Sequence, residues 1–262
     1  MSDRVLLYTC CDNDYTHFVP LYCAAALFSN ENIDIEIGIN LNRLTDLEEE
    51  AMHNLMILHP ESKIKIKYNF YSKKSMFTHM NALFDGKCMW SNTVRFVSVP
   101  DIKNKYTYIG DIDVVLLMKN FYTYHINIMN EYNVPYSNWI RNNDPLALTG
   151  LHFVETDSFY SRNIDGINLN ENDERILKKI QESVCELNPN IPQRPVCGLH
   201  FSKNQRLQSQ FKLSKIFLDE LESYKDSFFE FIKSKEYNIV KSCNTNLINE
   251  YIYGFTKHFN EI

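Results

Sequence analysis

Two periods of apolar and polar residues run through the first half of the chain. Val5 to Cys10 (VLLYTC) is a short unbroken apolar run, as in a strand buried on both faces, and it breaks into the polar stretch Cys11-Asp12-Asn13-Asp14-Tyr15. From Phe18 to Phe28 the apolar positions take helical spacing. Ile33 to Ile39 (IDIEIGI) alternates with the period of two expected of a strand. Thr45-Asp-Leu-Glu48 is a capping-box sequence that opens a helix through about Leu58, and Ile64 to Tyr68 (IKIKY) alternates again. This order, β-α-β-α-β, predicts a mostly parallel sheet with helices on its faces.

A short helix is expected around Met76 to Leu83, and another over Asn92 to Ile102 delivers Arg95 just ahead of Tyr106 to Leu117 (YTYIGDIDVVLL). In that stretch Asp111 and Asp113 separate two apolar runs of strand-forming residues. In extended chain, carboxylates two residues apart point to the same side. At the exit of a buried strand they would stand where ligands gather in open α/β sheets. Paired oxygen ligands suit Mg²⁺ or Mn²⁺, and the same residues also serve as a plain polar turn. Asp12 and Asn13 have a similar double reading. They can hydrogen-bond a base or ribose, with Tyr15 stacked on the base, or they simply make a turn and a helix cap.

Further on, a helix is expected over about Asn120 to Asn130 and a strand over Leu146 to Val154, with Gly150 permitting close backbone approach. Asn170 would cap a helix from Glu171 to Leu187. Pro189, Pro192 and Pro195 force a loop that leads into Gly198-Leu-His200-Phe. The same four residue types occur at Gly150 to Phe153 without surrounding similarity, which reads as coincidence. With no Gly/Ser linker, the chain divides into a domain over 1–206 and an aromatic-rich helical extension over 207–262 packed on it.

Composition narrows the chemistry. Seven glycines in 262 residues, and no G-x-G-x-x-G or Walker sequence, leave phosphates to a cation, basic side chains or helix N-termini. A net charge of −6 argues against a nucleic-acid partner. Seven cysteines without C-x-x-C pairs suit reduced thiols in the cytoplasm, with Cys10 and Cys11 packed in a strand. Neither a signal peptide nor a bilayer-spanning run is expected, and a peripheral membrane contact is compatible with the pattern.

In this order the pieces resemble the GT-A glycosyltransferases, most closely family 8, the retaining nucleotide-sugar enzymes, over roughly Val5 to Arg206. Arg95-Phe-Val-Ser-Val-Pro100, followed by Tyr108-Ile-Gly-Asp111-Ile-Asp113, is similar to the family's Arg-apolar-x-x-Pro segment and Asp-x-Asp strand. The resemblance implies a GT-A nucleotide-diphospho-sugar transferase fold: α/β, with a mostly parallel central sheet flanked by helices, here with a helical C-terminal extension. It implies that Asp111, Asp113 and His200 bind Mn²⁺ (or Mg²⁺), with His152 as the reserve third ligand. Donor contacts would come from Asp12, Asn13, Tyr15, Arg95, Asp111, Ile112, Asp113 and Arg206, the last standing six positions after His200. Glu171-Asn172-Asp173 matches an acid-amide-acid triplet, which makes Asn172 and Asp173 the catalytic candidates that hold the donor sugar. The chain departs from the family at Lys203, where a glycine is usual, in lacking Lys-Pro-Trp, and at Leu148-Thr149-Gly150, which lacks the usual Asn.

The implied activity is metal-dependent hexosyl transfer, with retention, from a nucleotide-diphosphate sugar such as a UDP-sugar. The implied acceptor is a glycan or glycolipid of a bacterial surface polysaccharide or lipopolysaccharide, met in the cytoplasm or at the inner membrane face. Charge explains the metal: two unit charges about 4 Å apart interact by roughly 4 kcal/mol at intermediate dielectric, so a diphosphate needs a cation beside paired carboxylates. The alternatives are a haloacid-dehalogenase-type phosphatase, with Asp111 as nucleophile and Asp113 as acid/base, and a non-catalytic sugar- or nucleotide-binding module.

Overall fold

The computed structural model describes residues 4–73, 82–193, 196–201 and 222–261. Strand β1 (Val5–Cys11) is buried from end to end, as its unbroken apolar sequence requires. A 3₁₀ turn at Thr16–Phe18 leads into α1 (Val19–Ser29), whose Pro20 sits in the first turn, where a missing N–H breaks no helical bond. Strand β2 (Ile33–Ile39) pairs parallel with β1. Helix α2 (Asp46–Leu58) opens on the expected capping box: Thr45 Oγ1 accepts the Glu48 N–H, and the Glu48 carboxylate accepts the Thr45 N–H at 2.8 Å. Strand β3 (Ile64–Lys67) completes the parallel run.

A small antiparallel sheet follows, made of β4 (Ser72–Lys73), β5 (Ala82–Phe84) and β6 (Lys87–Met89). The helix expected over Met76 to Leu83 falls largely on residues 74–81, outside the described residues, and Leu83 itself lies in β5. Asp85-Gly86 explains the strand there: both residues take positive φ (47° and 72°), as a tight hairpin turn demands.

After a 3₁₀ turn at Ser91–Thr93, α3 (Val94–Val97) is shorter than expected. The chain is already extended at Ser98, two residues before Pro100. Strand β7 (Tyr106–Ile109) then pairs parallel with β1, and β8 (Val114–Leu116) begins a separate ladder. Helix α4 (Phe121–Tyr132) ends on Asn133 in the left-handed conformation. The single strand expected over Leu146 to Val154 is two: β11 (Asp144–Leu148), paired with β10 (Ile140–Arg141), and β12 (His152–Glu155). The break at Thr149-Gly150-Leu151 lets the chain leave the hairpin and join the main sheet, where β12 lies between β7 and β9 (Tyr136–Ser137).

Helix α5 (Thr156–Tyr160) follows, and α6 (Asp173–Glu182) starts later than expected because Asn172, not Asn170, is its cap. Then come β13 (Gly198–His200), α7 (Lys225–Phe231), α8 (Lys235–Val240) and α9 (Asn246–Glu261). The main sheet has the order β3-β2-β1-β7-β12-β9, parallel except for β12. This is the expected mostly parallel sheet with flanking helices and a helical C-terminal region.

Residues alternate between two cores across β1. Val5, Leu7 and Cys11 join α1, α2 and the C-terminal helices, while Leu6, Tyr8 and Cys10 join Phe96, Tyr136 and α6. Phe228, Phe231, Phe255 and Phe259 are buried in the first of these cores. Each such ring contributes about 1.5–3 kcal/mol, which is how the C-terminal helices are held to the sheet. Among the described residues no helix is long and apolar enough to cross a membrane.

Candidate functional site

In the sheet order, β2 lies to one side of β1 and β7 to the other, so the chain reverses direction of travel between β1 and β7. Parallel strands that diverge in this way leave a crevice at their carboxyl ends. A cleft of about 320 Å³ lies there, lined by Cys10, Cys11 and Tyr15 from the end of β1 and by Asp111, Ile112 and Asp113 after β7. Asn92, Arg95, Arg141, Gly150, Asp173, Glu174 and His200 complete it.

Asp111 to Asp113 form a turn rather than the expected extended segment. The Asp111 carbonyl accepts the Val114 N–H at 3.3 Å, and the Gly110 N–H is tied to the Tyr8 carbonyl at 3.2 Å. The two carboxylates therefore converge through turn geometry, so the plain-turn reading was right about the backbone. His200 arrives from the far end of the chain on β13, which pairs antiparallel with β8 and sets His200 opposite Val114. Its Nε2 lies 3.2 Å from Asp113 Oδ1. One ligand atom from each of Asp111, Asp113 and His200 falls within 4.8 Å of the others, and no other such group occurs among the described residues.

Arg95 is buried at 3 % exposure behind this group. Its Nη1 donates to the Gly110 carbonyl at 3.2 Å and pairs with Asp111, while Nη2 lies 3.5 Å from Asp173 Oδ2. Burial works against its charge, but Asp111 and Asp173 outweigh that and hold the guanidinium firmly protonated. Asp173 and Glu174 are both pushed above the usual carboxylate range, chiefly by burial, with Arg95 and Arg141 respectively opposing the shift. Gly150 makes this crowding possible: its N–H donates to Glu174 Oε1 at 3.0 Å, and a Cβ there would stand 3.2 Å from Arg95 Nη2. Among the described lining residues, counted as ionised, four carboxylates (Asp111, Asp113, Asp173, Glu174) face two guanidinium groups (Arg95, Arg141). The excess of two negative charges is what one divalent cation neutralises, and two carboxylates with an imidazole offer such a cation hard oxygen donors and one nitrogen.

The remaining sequence-derived candidates divide. Tyr15 and Ile112 line the cleft, whereas Asn13 lines a neighbouring cavity of about 720 Å³ beside α2. Asp12 accepts the Asp14 N–H at 3.0 Å in a local turn. The Asn172 side chain accepts the N–H groups of Glu174 and Arg175 as the α6 cap, so the wall of the cleft is formed by Asp173 and Glu174. Arg206 lies outside the described residues. His152, the reserve ligand, is fully buried and engaged by Gln181 Oε1 at 2.9 Å and Asn138 Nδ2 at 3.1 Å, so His200 and not His152 joins the two aspartates. The cysteines at the end of β1 are packed, as expected; burial pushes the Cys10 thiol to about 12.

Sequence reasoning missed Glu174 and Arg141. Their ion pair, with Arg175 to Asp144 at 2.9 Å, ties the β10–β11 hairpin to α6 and walls the cleft. The available signal was two Arg/acid partners in the polar segments on either side of the Gly150 strand.

No protein-family model matches the chain. No curated protein matches it either. Solved structures do: the apo form of the glycosyltransferase GlyE of Streptococcus pneumoniae TIGR4 superposes with a TM-score of 0.50 at 10% identity, covering 92% of this chain and 63% of that one. The mannosyltransferase PcManGT of Pyrobaculum calidifontis, in complex with GDP-Man and Mn²⁺, has a TM-score of 0.49 at 9% identity, covering 98% of this chain and 74% of that one. The likeness to GlyE is one of fold, and this chain spans under two thirds of GlyE's length.

Proposed function

We propose that the chain is a metal-dependent glycosyltransferase of the GT-A type, resembling family 8. It would move a hexose, with retention, from a nucleotide-diphosphate sugar, in the first instance a UDP-sugar, to a glycan or glycolipid acceptor. The observation that carries this reading is the meeting of Asp111, Asp113 and His200 at the carboxyl ends of β1 and β7, in a cleft with two negative charges in excess.

Each residue then has a definite task. Tyr15, which lines the cleft, stacks on the base, and the loop that carries Asp12 and Asn13 positions it. Asp111, Asp113 and His200 would hold the cation, which would supply neutralisation of the diphosphate and of the charge that gathers on the departing nucleotide. Asp173 and Glu174, which reach the cleft from the start of α6, stabilise the positive charge that builds on the sugar as its glycosidic bond to phosphate stretches. Retention requires no strong base near the acceptor hydroxyl, and none is assigned. We assign this machinery to residues 1–206; the described C-terminal helices, over 225–261, pack into the same core as Val5, Leu7 and Cys11 of β1.

The test is a thermal-shift panel of UDP- and GDP-sugars with and without Mn²⁺. A donor at 100 times its Kd stabilises by about 2.7 kcal/mol, and it should do so only with metal present. A panel in which no nucleotide sugar raises Tm with Mn²⁺ sinks the reading.

A further inference from the structure

Asp111 answers to two cations. In the structure its partner is Arg95; in the reading above, on which this inference rests, it also grips a metal. The two aspartates differ in this respect. Asp113 pairs with His200, itself a member of the metal group, and among the described residues no Lys or Arg pairs with it. Asp111 pairs with a buried guanidinium that it shares with Asp173.

Arg95 is buried and held by several contacts. It is anchored on α3, lies over the Phe96 ring at 4.7 Å, donates to the Gly110 carbonyl at 3.2 Å and stands 3.5 Å from Asp173. The Asp111 side chain is by contrast 28 % exposed and is the member of the pair open to the cleft. A fixed, buried positive charge beside a dication site repels the dication, and at short range in a protein this repulsion is large. A diphosphate reverses the balance, because its negative charge attracts both cations at once.

We propose that Arg95 is a resident counter-ion that holds Asp111 in the empty site and so makes metal binding conditional on the nucleotide diphosphate. Metal alone must share Asp111 with Arg95. Metal arriving with UDP meets a site in which the added negative charge accommodates both positive groups. Free cation is thereby kept from filling the cleft ahead of the donor.

The test is Mn²⁺ titration of the full chain, read by the loss of free-Mn²⁺ electron paramagnetic resonance signal, with and without UDP. Wild type should bind Mn²⁺ weakly alone and about tenfold or more tighter with UDP. Arg95→Met should bind Mn²⁺ alone about tenfold tighter than wild type and gain less from UDP. Arg95→Lys, which keeps the charge, should behave as wild type. Because Arg95→Met leaves Asp173 buried beside no cation, the double variant Arg95→Met/Asp173→Asn provides a second measurement should the single variant not fold. If a folded Arg95→Met or double variant binds Mn²⁺ alone no tighter than wild type, while wild type with UDP binds it well, the role of Arg95 falls and the metal site stands. If wild type binds no Mn²⁺ even with UDP, the metal-site reading falls and takes this inference with it.

Discussion

Asp113 and His200, 87 positions apart, meet at 3.2 Å because two short strands hold them in register. Leu199 pairs with Val115 and Gly198 with Leu116, and the Phe201 N–H donates to the Asp113 carbonyl at 2.6 Å. The ladder depends on Gly198, where a Cβ would fall 2.0 Å from the Val115 carbonyl oxygen, a backbone atom that cannot swing aside. Gly198→Ala should therefore cost about 1–3 kcal/mol in urea unfolding, the usual scale for overpacking. It should also weaken Mn²⁺ binding in the presence of UDP by displacing His200. Unchanged Mn²⁺ affinity in Gly198→Ala would show that the ladder does not set the histidine.

Asp111→Asn and Asp113→Asn each keep the size of the side chain while removing a charged ligand. Both should lose metal-dependent transfer, by roughly 100-fold or more in kcat, the scale seen when one charge-stabilising group is removed from a preorganised site. Asp111 is the nearest counter-charge of buried Arg95, so its variant should fold but with a lower Tm than wild type without metal. The check is transfer assayed with Mn²⁺ and with chelator: full activity in both variants under chelator overturns the assignment.

Much of this arrangement is legible in the residues. The alternation of IDIEIGI and the capping box at Thr45 are local signals, and both elements form as read. Asp111 and Asp113 stood out because carboxylates seldom interrupt a run of strand formers. What resisted reading was set by distant partners. Nothing near Gly150 says that Arg95 and Glu174 crowd it, since those neighbours come from residues 55 positions before and 24 after. The two Gly-Leu-His-Phe segments are alike in sequence, and each enters an antiparallel strand beside the aspartate turn: His152 faces Ile109 on β7, and His200 faces Val114 on β8. Only the packing of α6 against one of them separates a buried histidine from one at the cleft.

His152 shows the consequence. With Gln181 and Asn138 on its two ring nitrogens and no exposure, it acts as a satisfied core residue. His152→Ala should cost about 2–4 kcal/mol, through a cavity and one lost hydrogen bond at each of Gln181 and Asn138. Mn²⁺ affinity in the folded variant should be unchanged, whereas His200→Ala should lower it sharply with little effect on urea stability. The reverse pattern would reassign the third ligand.

Asp34 supplies a pH-dependent brace at the far end of the sheet. Burial alone would push its carboxyl up, but hydrogen bonds from Arg4, the Lys63 N–H and Asn104 outweigh that and hold it below the ordinary 3.8. A carboxyl depressed in the folded state adds stability above its unfolded pKa and loses it as pH falls through the folded one. Asp34→Asn should thus be less stable than wild type at pH 7 by about 1–3 kcal/mol, the scale for a buried charged hydrogen-bond partner. The gap should close on acidification below 3.8. A gap that persists at acid pH would point to lost packing instead of lost charge.

Asp173 carries the opposite sign. Burial raises its carboxyl above 3.8, and the pull of Arg95 does not cancel the shift. A folded state that holds the proton more tightly than the unfolded chain is favoured at low pH, so this contribution is present below the unfolded pKa and is lost as pH rises through the folded one. At neutral pH the ionised Asp173 is therefore a net cost to stability. Asp173→Asn removes that cost while Arg95 keeps Asp111 as a partner. The variant should match or exceed the wild-type Tm at pH 7, and the difference should shrink as pH falls towards 3.8. Transfer should drop in the same variant, because a carboxylate kept in a cleft at the expense of stability is one the sugar needs. Tm followed from pH 4 upward, together with kcat and KM at pH 7, separates the two effects. A variant that is destabilised at pH 7 with kcat intact would make Asp173 a structural partner of Arg95.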